Sequence, residues 1–257
     1  KTEFDKIYDY MVLVNGNAGG VVRRELTIVG TPANMTAKQI RQFGSWSCVA
    51  QEGVFDFEGL TMDAYSDRKI CVFSRGNSVI SVLAVVDDSV TYSNVWLCST
   101  QDNKLEAYIS GVYREFEISP LENDFENTIA DIGIESGKVK QLTIKNDTIS
   151  GKVLRVSNTA VEIDGYGSVD IADNFRVYKN YGILEEKSID DILVGYELAD
   201  FVVADGKICA AVIKKELHAE NIRVLIMNTG YGSIFHDRVT LTSDAGFVIH
   251  KKDEDIT

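Results

Sequence analysis

Proline is almost missing, with 2 residues in 257, which excludes a Pro-rich linker protein. The 20 glycines follow no collagen-like period. Histidine (3) and cysteine (4) are scarce and no C-x-x-C pair occurs. A structural zinc site, which needs closely spaced thiolate and imidazole ligands, is therefore not expected, nor is any other metal or cofactor. Cys48, Cys71, Cys98 and Cys209 sit among apolar neighbours, as in Ile70-Cys71-Val72 and Ile208-Cys209-Ala210. That setting points to small buried strand residues rather than a disulfide framework. No apolar run approaches the roughly 18 residues of a membrane-spanning helix. Positive charge is short: 26 Lys and Arg face 39 Asp and Glu, a formal net charge of -13. Such a field repels phosphate, so nucleic acid and anionic membrane surfaces are not expected partners.

What is present is β-structure. Hydrophobic residues make up 45% of the chain, enough for a sizeable core. Period-two alternation and β-branched runs mark strand candidates at 10–14, 21–29, 48–57, 69–74, 78–86, 90–98, 105–118, 138–145, 148–156, 160–164, 169–171, 175–179, 198–204, 207–215, 222–228, 238–242 and 246–250. Turn chemistry separates them, most clearly at Asp205-Gly206, a two-residue hairpin signal. Two helices are expected. Thr36 to Phe43 has a Thr cap, Gln39 at the third helical position and Gly44 as a stop. Ser188 to Val194 repeats that logic with Asp191 and Gly195, and a short turn around Glu126–Ile132 is a third candidate. So few helices between so many strands predict an all-β fold, built as tandem small β-barrel or β-sandwich units.

The expected organisation is a β-rich domain over 1–120, an acidic linker over 121–136 just after Pro120, a small barrel-like domain over 137–215, and further strands over 216–257. In the barrel-like unit, Ile189, Ile192 and Leu193 should share one helix face and close an open end. The chain opens on Lys1 rather than Met, which suits a removed signal peptide and an extracellular or envelope location. It stops just after a strand-like run, as a fragment of a longer protein would.

The segment Asn221-Ile222-Arg223-Val224-Leu225-Ile226, continuing through Phe235-His236-Asp237-Arg238-Val239 to Ser243, resembles the opening of the stage II sporulation protein D family. Domains of that family begin with an I-R-V-L-I strand, a loop and a second strand. The β-rich stretch from Gly137 to Lys214 is similar to the region preceding that opening. The resemblance implies a cell-wall protein whose full length acts on peptidoglycan as a lytic transglycosylase. The family's essential acidic residue lies in a downstream helix that this chain does not reach. The resemblance therefore implies no catalytic residue here, and a non-catalytic interaction or positioning module whose partners are wall glycan or envelope proteins.

Other chemistry finds little support in the residues. Glycan cleavage needs a proton-donating acid beside a second polar group, but with 39 acids pairs arise everywhere. Glu185-Glu186 and Asp190-Asp191 flank an expected helix start, where acids complement the helix dipole. Gly230-x-Gly232-Ser233 lies near His236, yet a triad draws on distant elements and no G-x-S-x-G occurs. Gly16-Asn17-Ala18-Gly19-Gly20 lacks the Gly-Lys-Ser/Thr end of a phosphate loop. Asp164 to Asn174 offers acids without the alternate spacing of an EF-hand loop. For sugar stacking, Trp96 lies in the core-like run Val95-Trp96-Leu97 and Tyr108 and Tyr113 lie in strands, where aromatics are more often buried; Trp46, after a helix stop and among Gly and Ser, is the better carbohydrate-binding candidate. A glycan-acting hydrolase or lyase using an acidic pair in a β-sheet cleft is the alternative reading.

Overall fold

The computed structural model describes residues 20–216 and, further on, His250, Lys251, Glu254 and Asp255. The chain divides into two units, 1–216 and 217–257. In the second, His250–Lys251 and Glu254–Asp255 pair antiparallel. The strand candidates at 10–14, 222–228 and 238–242, and the family-like segment Asn221–Ser243, lie outside the described residues. The first unit is mainly β, with one α-helix among the described residues, as the alternation predicts.

Five strands close a barrel in the order β1-β2-β3-β5-β4: β1 (Val21–Gly30), β2 (Ser47–Ala50), β3 (Gly53–Asp56), β4 (Lys69–Arg75) and β5 (Ser78–Asp87). The expected strand 48–57 is in fact two, reversing at Gln51-Glu52. Leu26, Ile28, Phe55, Ile70 and Val72 fill the interior. β5 sets ten residues against the seven of β4 and meets β3 at the single pair Asp56 and Ser78. The surplus residues Ile80, Leu83 and Val86 bulge out of register, and bulges of this kind blunt an otherwise sticky apolar edge.

Helix α1 (Ala37–Phe43) has the expected capping box: the Gln39 amide donates to Thr36 Oγ1 at 3.3 Å, and the Thr36 amide donates to Gln39 Oε1 at 2.9 Å. Gly44, at φ 109°, ends it. Its Ile40 and Phe43 pack onto the next sheet.

That sheet runs β10-β9-β6-β7-β8, from β6 (Ser89–Gln101), β7 (Lys104–Ile109), β8 (Val112–Glu117), β9 (Glu126–Glu135) and β10 (Lys138–Lys145). One face, with Tyr92, Val95, Leu97 and Ile132, shares a core with Val29 and Val49 of the barrel. The other, with Trp96, Tyr108 and Ile129, packs against Tyr178, Val202 and Cys209 of the third sheet. β6 serves both by alternation, and its register slips between Tyr92 and Val95. Val90 and Tyr92 face the barrel before the slip, and Val95 and Leu97 after it, since one inserted residue swaps the faces of a strand.

Two expectations are corrected here. The segment 126–135, expected within a linker and partly as a helical turn, is strand β9, hydrogen-bonded on both sides and buried through Ala130, Ile132 and Ile134. Acids such as Asp131 had disguised it as a solvated stretch. β10 pairs with β9, so 138–145 belongs to the middle sheet and not to the following unit.

The third sheet comprises β11 (Thr148–Ser150), β12 (Val153–Val156), β13 (Ala160–Ile163), β14 (Gly167–Lys179), β15 (Glu185–Lys187), β16 (Ala199–Ala204) and β17 (Lys207–Ile213). Its order is β11-β16-β17-β14-β13-β12, with β15 beside β14. The β16–β17 hairpin turns at Asp205-Gly206, both residues at positive φ (51° and 75°), the geometry that sequence pair favours. The expected helix at Ser188–Val194 shrinks to one 3-10 turn, Ile189–Asp191. Ile192 is buried in this sheet's core and Ile189 packs against it, but Leu193 is exposed, because the turn ends at Asp191 and the extended backbone at Ile192 sends successive side chains to opposite sides.

Barrel and middle sheet are also joined by a buried ion pair. Arg114 on β8 grips Asp67 bidentately, Nη1 to Oδ1 at 3.0 Å and Nη2 to Oδ2 at 2.7 Å. Arg114 also donates to the Val29 carbonyl and stacks 4.8 Å from the Phe116 ring centroid. Tyr92 Oη donates to Asp67 Oδ1 at 2.9 Å. Burial first, and then the Asp67 charge, push the Tyr92 hydroxyl well above its ordinary ionisation range, so it stays a donor.

Candidate functional site

Two concavities among the described residues meet at one ion pair. Arg176 on β14 and Glu186 on β15 approach to 2.5 Å, with side chains 15% and 25% exposed. On one side lies a cavity of about 560 Å³, walled by Asn158, Thr159, Asp173 and Lys187. On the other lies one of about 350 Å³, walled by Thr27 and Gln51 from the barrel and Thr91 and Ser93 from β6. Arg176, Glu186 and the half-buried Phe175 line both.

A break in β14 builds this site. Its parallel pairing with β17 jumps from Ile171–Ile208 to Arg176–Ala210, so 172–175 leave the ladder and arch outward. The slipped segment of β6 meets that arch. Arg176 Nε donates to the Ser93 carbonyl at 3.2 Å, and Asn94 Nδ2 donates to the Asn174 carbonyl at 2.8 Å. Two irregularities in two sheets thus brace each other and leave a groove on either side, the smaller lined mainly by polar groups and the larger also by Ile171, Ala172, Val177 and Ile189.

The groove offers amide and hydroxyl groups, one aromatic face and a compensated charge pair. That inventory suits a neutral, hydroxyl-rich ligand. It suits proton donation poorly, because Glu186 spends its carboxylate on Arg176, whereas a glycan-cleaving acid needs an unpaired, apolar setting.

The candidates from the sequence are scattered. Trp46 is 54% exposed but lines neither cavity. Trp96 is buried with its ring 5.7 Å from that of Tyr178, and Tyr108 and Tyr113 pair across the β7–β8 hairpin at 4.9 Å. Glu185 and Glu186 stand on a strand, not at a helix start. Glu185 is lowered below the usual carboxylate range by hydrogen bonding from Lys187, then by the charge of Lys179. Asp191 accepts from the Ser188 amide and hydroxyl, as a capping residue does. Asp164 starts the β13–β14 turn and Asp170 and Asp173 run along β14, and among the described residues no three His, Cys, Asp or Glu side chains converge as a metal site requires. Ser233 and His236 lie outside the described residues. Sequence reasoning missed Arg176, Phe175 and Ser93, whose only local signal is the polar stretch Asp173-Asn174 interrupting a strand pattern.

The chain matches no family model and no curated protein.

Proposed function

We propose that the first unit is a non-catalytic interaction or positioning module of a cell-wall-associated protein, and that it takes a glycan in the Arg176–Glu186 groove. The observation that carries this reading is the groove itself, where the charged pair is neutralised internally. Around it stand neutral hydrogen-bonding side chains, Asn158, Thr159, Gln51, Thr91 and Ser93, beside the Phe175 ring. Sugar hydroxyls fit such donors and acceptors, and a C–H face of the ring packs on an aromatic. The resemblance of Asn221–Ser243 to the stage II sporulation protein D family supplies the wall glycan as ligand and an extracellular or envelope location.

The second reading is the hydrolase or lyase. Asp173 and Glu186 line the same cavity, which favours it. One experiment separates the two. The chain is incubated with purified peptidoglycan, then the pellet and the soluble fraction are analysed. The module reading expects co-sedimentation with no soluble anhydro-sugars; release of anhydro-sugars or reducing ends supports the enzyme, and failure to sediment removes the module.

A further inference from the structure

Lys145, Asn94 and Asp131 form a cluster that the groove does not use. Asp131 lies on β9, with Lys145 on β10 to one side and Asn94 on β6 to the other. Lys145 Nζ stands 2.5 Å from Asn94 Oδ1 and 2.7 Å from Asp131 Oδ1. The same carboxylate oxygen accepts from the Asn94 backbone N–H at 2.8 Å. Asn94 is 2% exposed and the Lys145 side chain 14%. Over them lie Tyr178, whose hydroxyl donates to the Asn94 carbonyl at 2.9 Å, and the buried Cys209, which feels the charges of both Lys145 and Asp131. Asn94 is held at φ 55° in the slipped segment of β6, which turns its carboxamide toward the lysine. An amine and a carboxamide, both largely buried, and a carboxylate whose side chain is 29% exposed are thus fixed within hydrogen-bonding reach.

We propose that Lys145 and Asn94 are joined by an intramolecular isopeptide bond, with Asp131 carrying the proton. A proton passes from Lys145 Nζ to Asp131 along their hydrogen bond, leaving an uncharged amine. Its lone pair attacks Asn94 Cγ, forming the Nζ–Cγ bond. The tetrahedral centre collapses with cleavage of Cγ–Nδ2, and Nδ2 departs as ammonia, taking the proton held by Asp131, which then takes the remaining Nζ hydrogen and passes it to the ammonia as ammonium. The net change converts an ammonium and a carboxamide into a secondary amide and one ammonium ion, and needs no oxidant, cofactor or outside reagent. An amine and an amide do not react this way free in water at neutral pH. Fixed proximity, equivalent to effective molarities of roughly 10⁵ M or more, supplies the difference. The product ties β6 to β10 over the top of β9, spanning 51 positions of sequence.

Intact-mass spectrometry of the full chain under denaturing conditions tests this. The expected mass is lower than the sequence mass by one ammonia, with a branched tryptic peptide joining Asn94 to Lys145. Lys145→Arg and Asp131→Ala should both return the full sequence mass. A wild-type chain at full mass overturns the proposal. So does a deficit that persists in Lys145→Arg, since that would place the lost ammonia elsewhere. A deficit retained in Asp131→Ala overturns the role of Asp131.

Discussion

Replacing Arg114 with Met keeps most of the aliphatic stem over Phe116 but removes the guanidinium from Asp67. Both side chains are 7% exposed, so the carboxylate would be left in the interior with only Tyr92 Oη at 2.9 Å and Ser66 Oγ at 3.3 Å. Breaking a buried pair from one side costs about 3–5 kcal/mol, because the surviving charge loses its compensation while remaining desolvated. The Val29 carbonyl also loses its donor. With a urea slope of about 2 kcal/mol/M, the unfolding midpoint should fall by about 1.5–2.5 M. Tryptophan fluorescence reports the transition, Trp96 being buried in the middle sheet. The double variant Arg114→Met/Asp67→Asn removes both charges and should recover about 2 kcal/mol of the loss. A single-variant cost below about 1 kcal/mol, or a double variant worse than the single, would refute the reasoning. The pair also holds the barrel, which contributes Thr27 and Gln51 to the second cavity, against the sheet that contributes Thr91 and Ser93.

Ile192→Asp puts an unpaired charge into the core of the third sheet and should lower its stability by about 3 kcal/mol or more, while Leu193→Asp, at an exposed site, should stay within about 0.5 kcal/mol; equal effects in thermal melts would contradict the 3-10 geometry. Burial tends to raise Asp200, but hydrogen bonds from Lys214 at 2.7 Å and from Ser150 outweigh it and hold the carboxyl below its ordinary value. A depressed carboxyl stabilises the fold above its unfolded value of about 4 and loses that effect as pH falls through the folded value. Asp200→Asn should therefore cost up to about 1 kcal/mol at pH 7, screened by solvent, and progressively less in urea titrations as the pH is taken below about 4. Burial pushes the Cys48 thiol up to about 12 and Cys98 up to about 11, so native protein at pH 8 should resist iodoacetamide at both, counted by mass spectrometry after quenching.

The elements that the sequence declares best are those fixed by local chemistry. Thr36 and Gln39 satisfy each other within one turn, and Asp205-Gly206 reverses the chain with two positive φ values that few other pairs tolerate. Strand β9 stayed hidden although Ala130, Ile132 and Ile134 alternate with Asp131 and Gly133, because the acids at Glu122, Asp124, Glu126 and Asp131 make the stretch read as solvated chain. The groove was less legible still. Arg176 and Glu186 meet only through the register of β14 with β15, and Ser93 and Thr27 arrive from strands far away in sequence. Slips such as those near Asn94 and Asn174 are properties of two paired strands, and neither strand announces them alone.

The most direct test of the glycan groove is an amide NMR titration of the folded chain with soluble muropeptides. The expected shifts cluster at Thr27, Ser93, Phe175 and Glu186, and Phe175→Ala should weaken binding about five-fold, the loss of about 1 kcal/mol of ring contact. Shifts confined to the surroundings of the exposed Trp46, or no shifts at all, would contradict the assignment of the groove as the binding site.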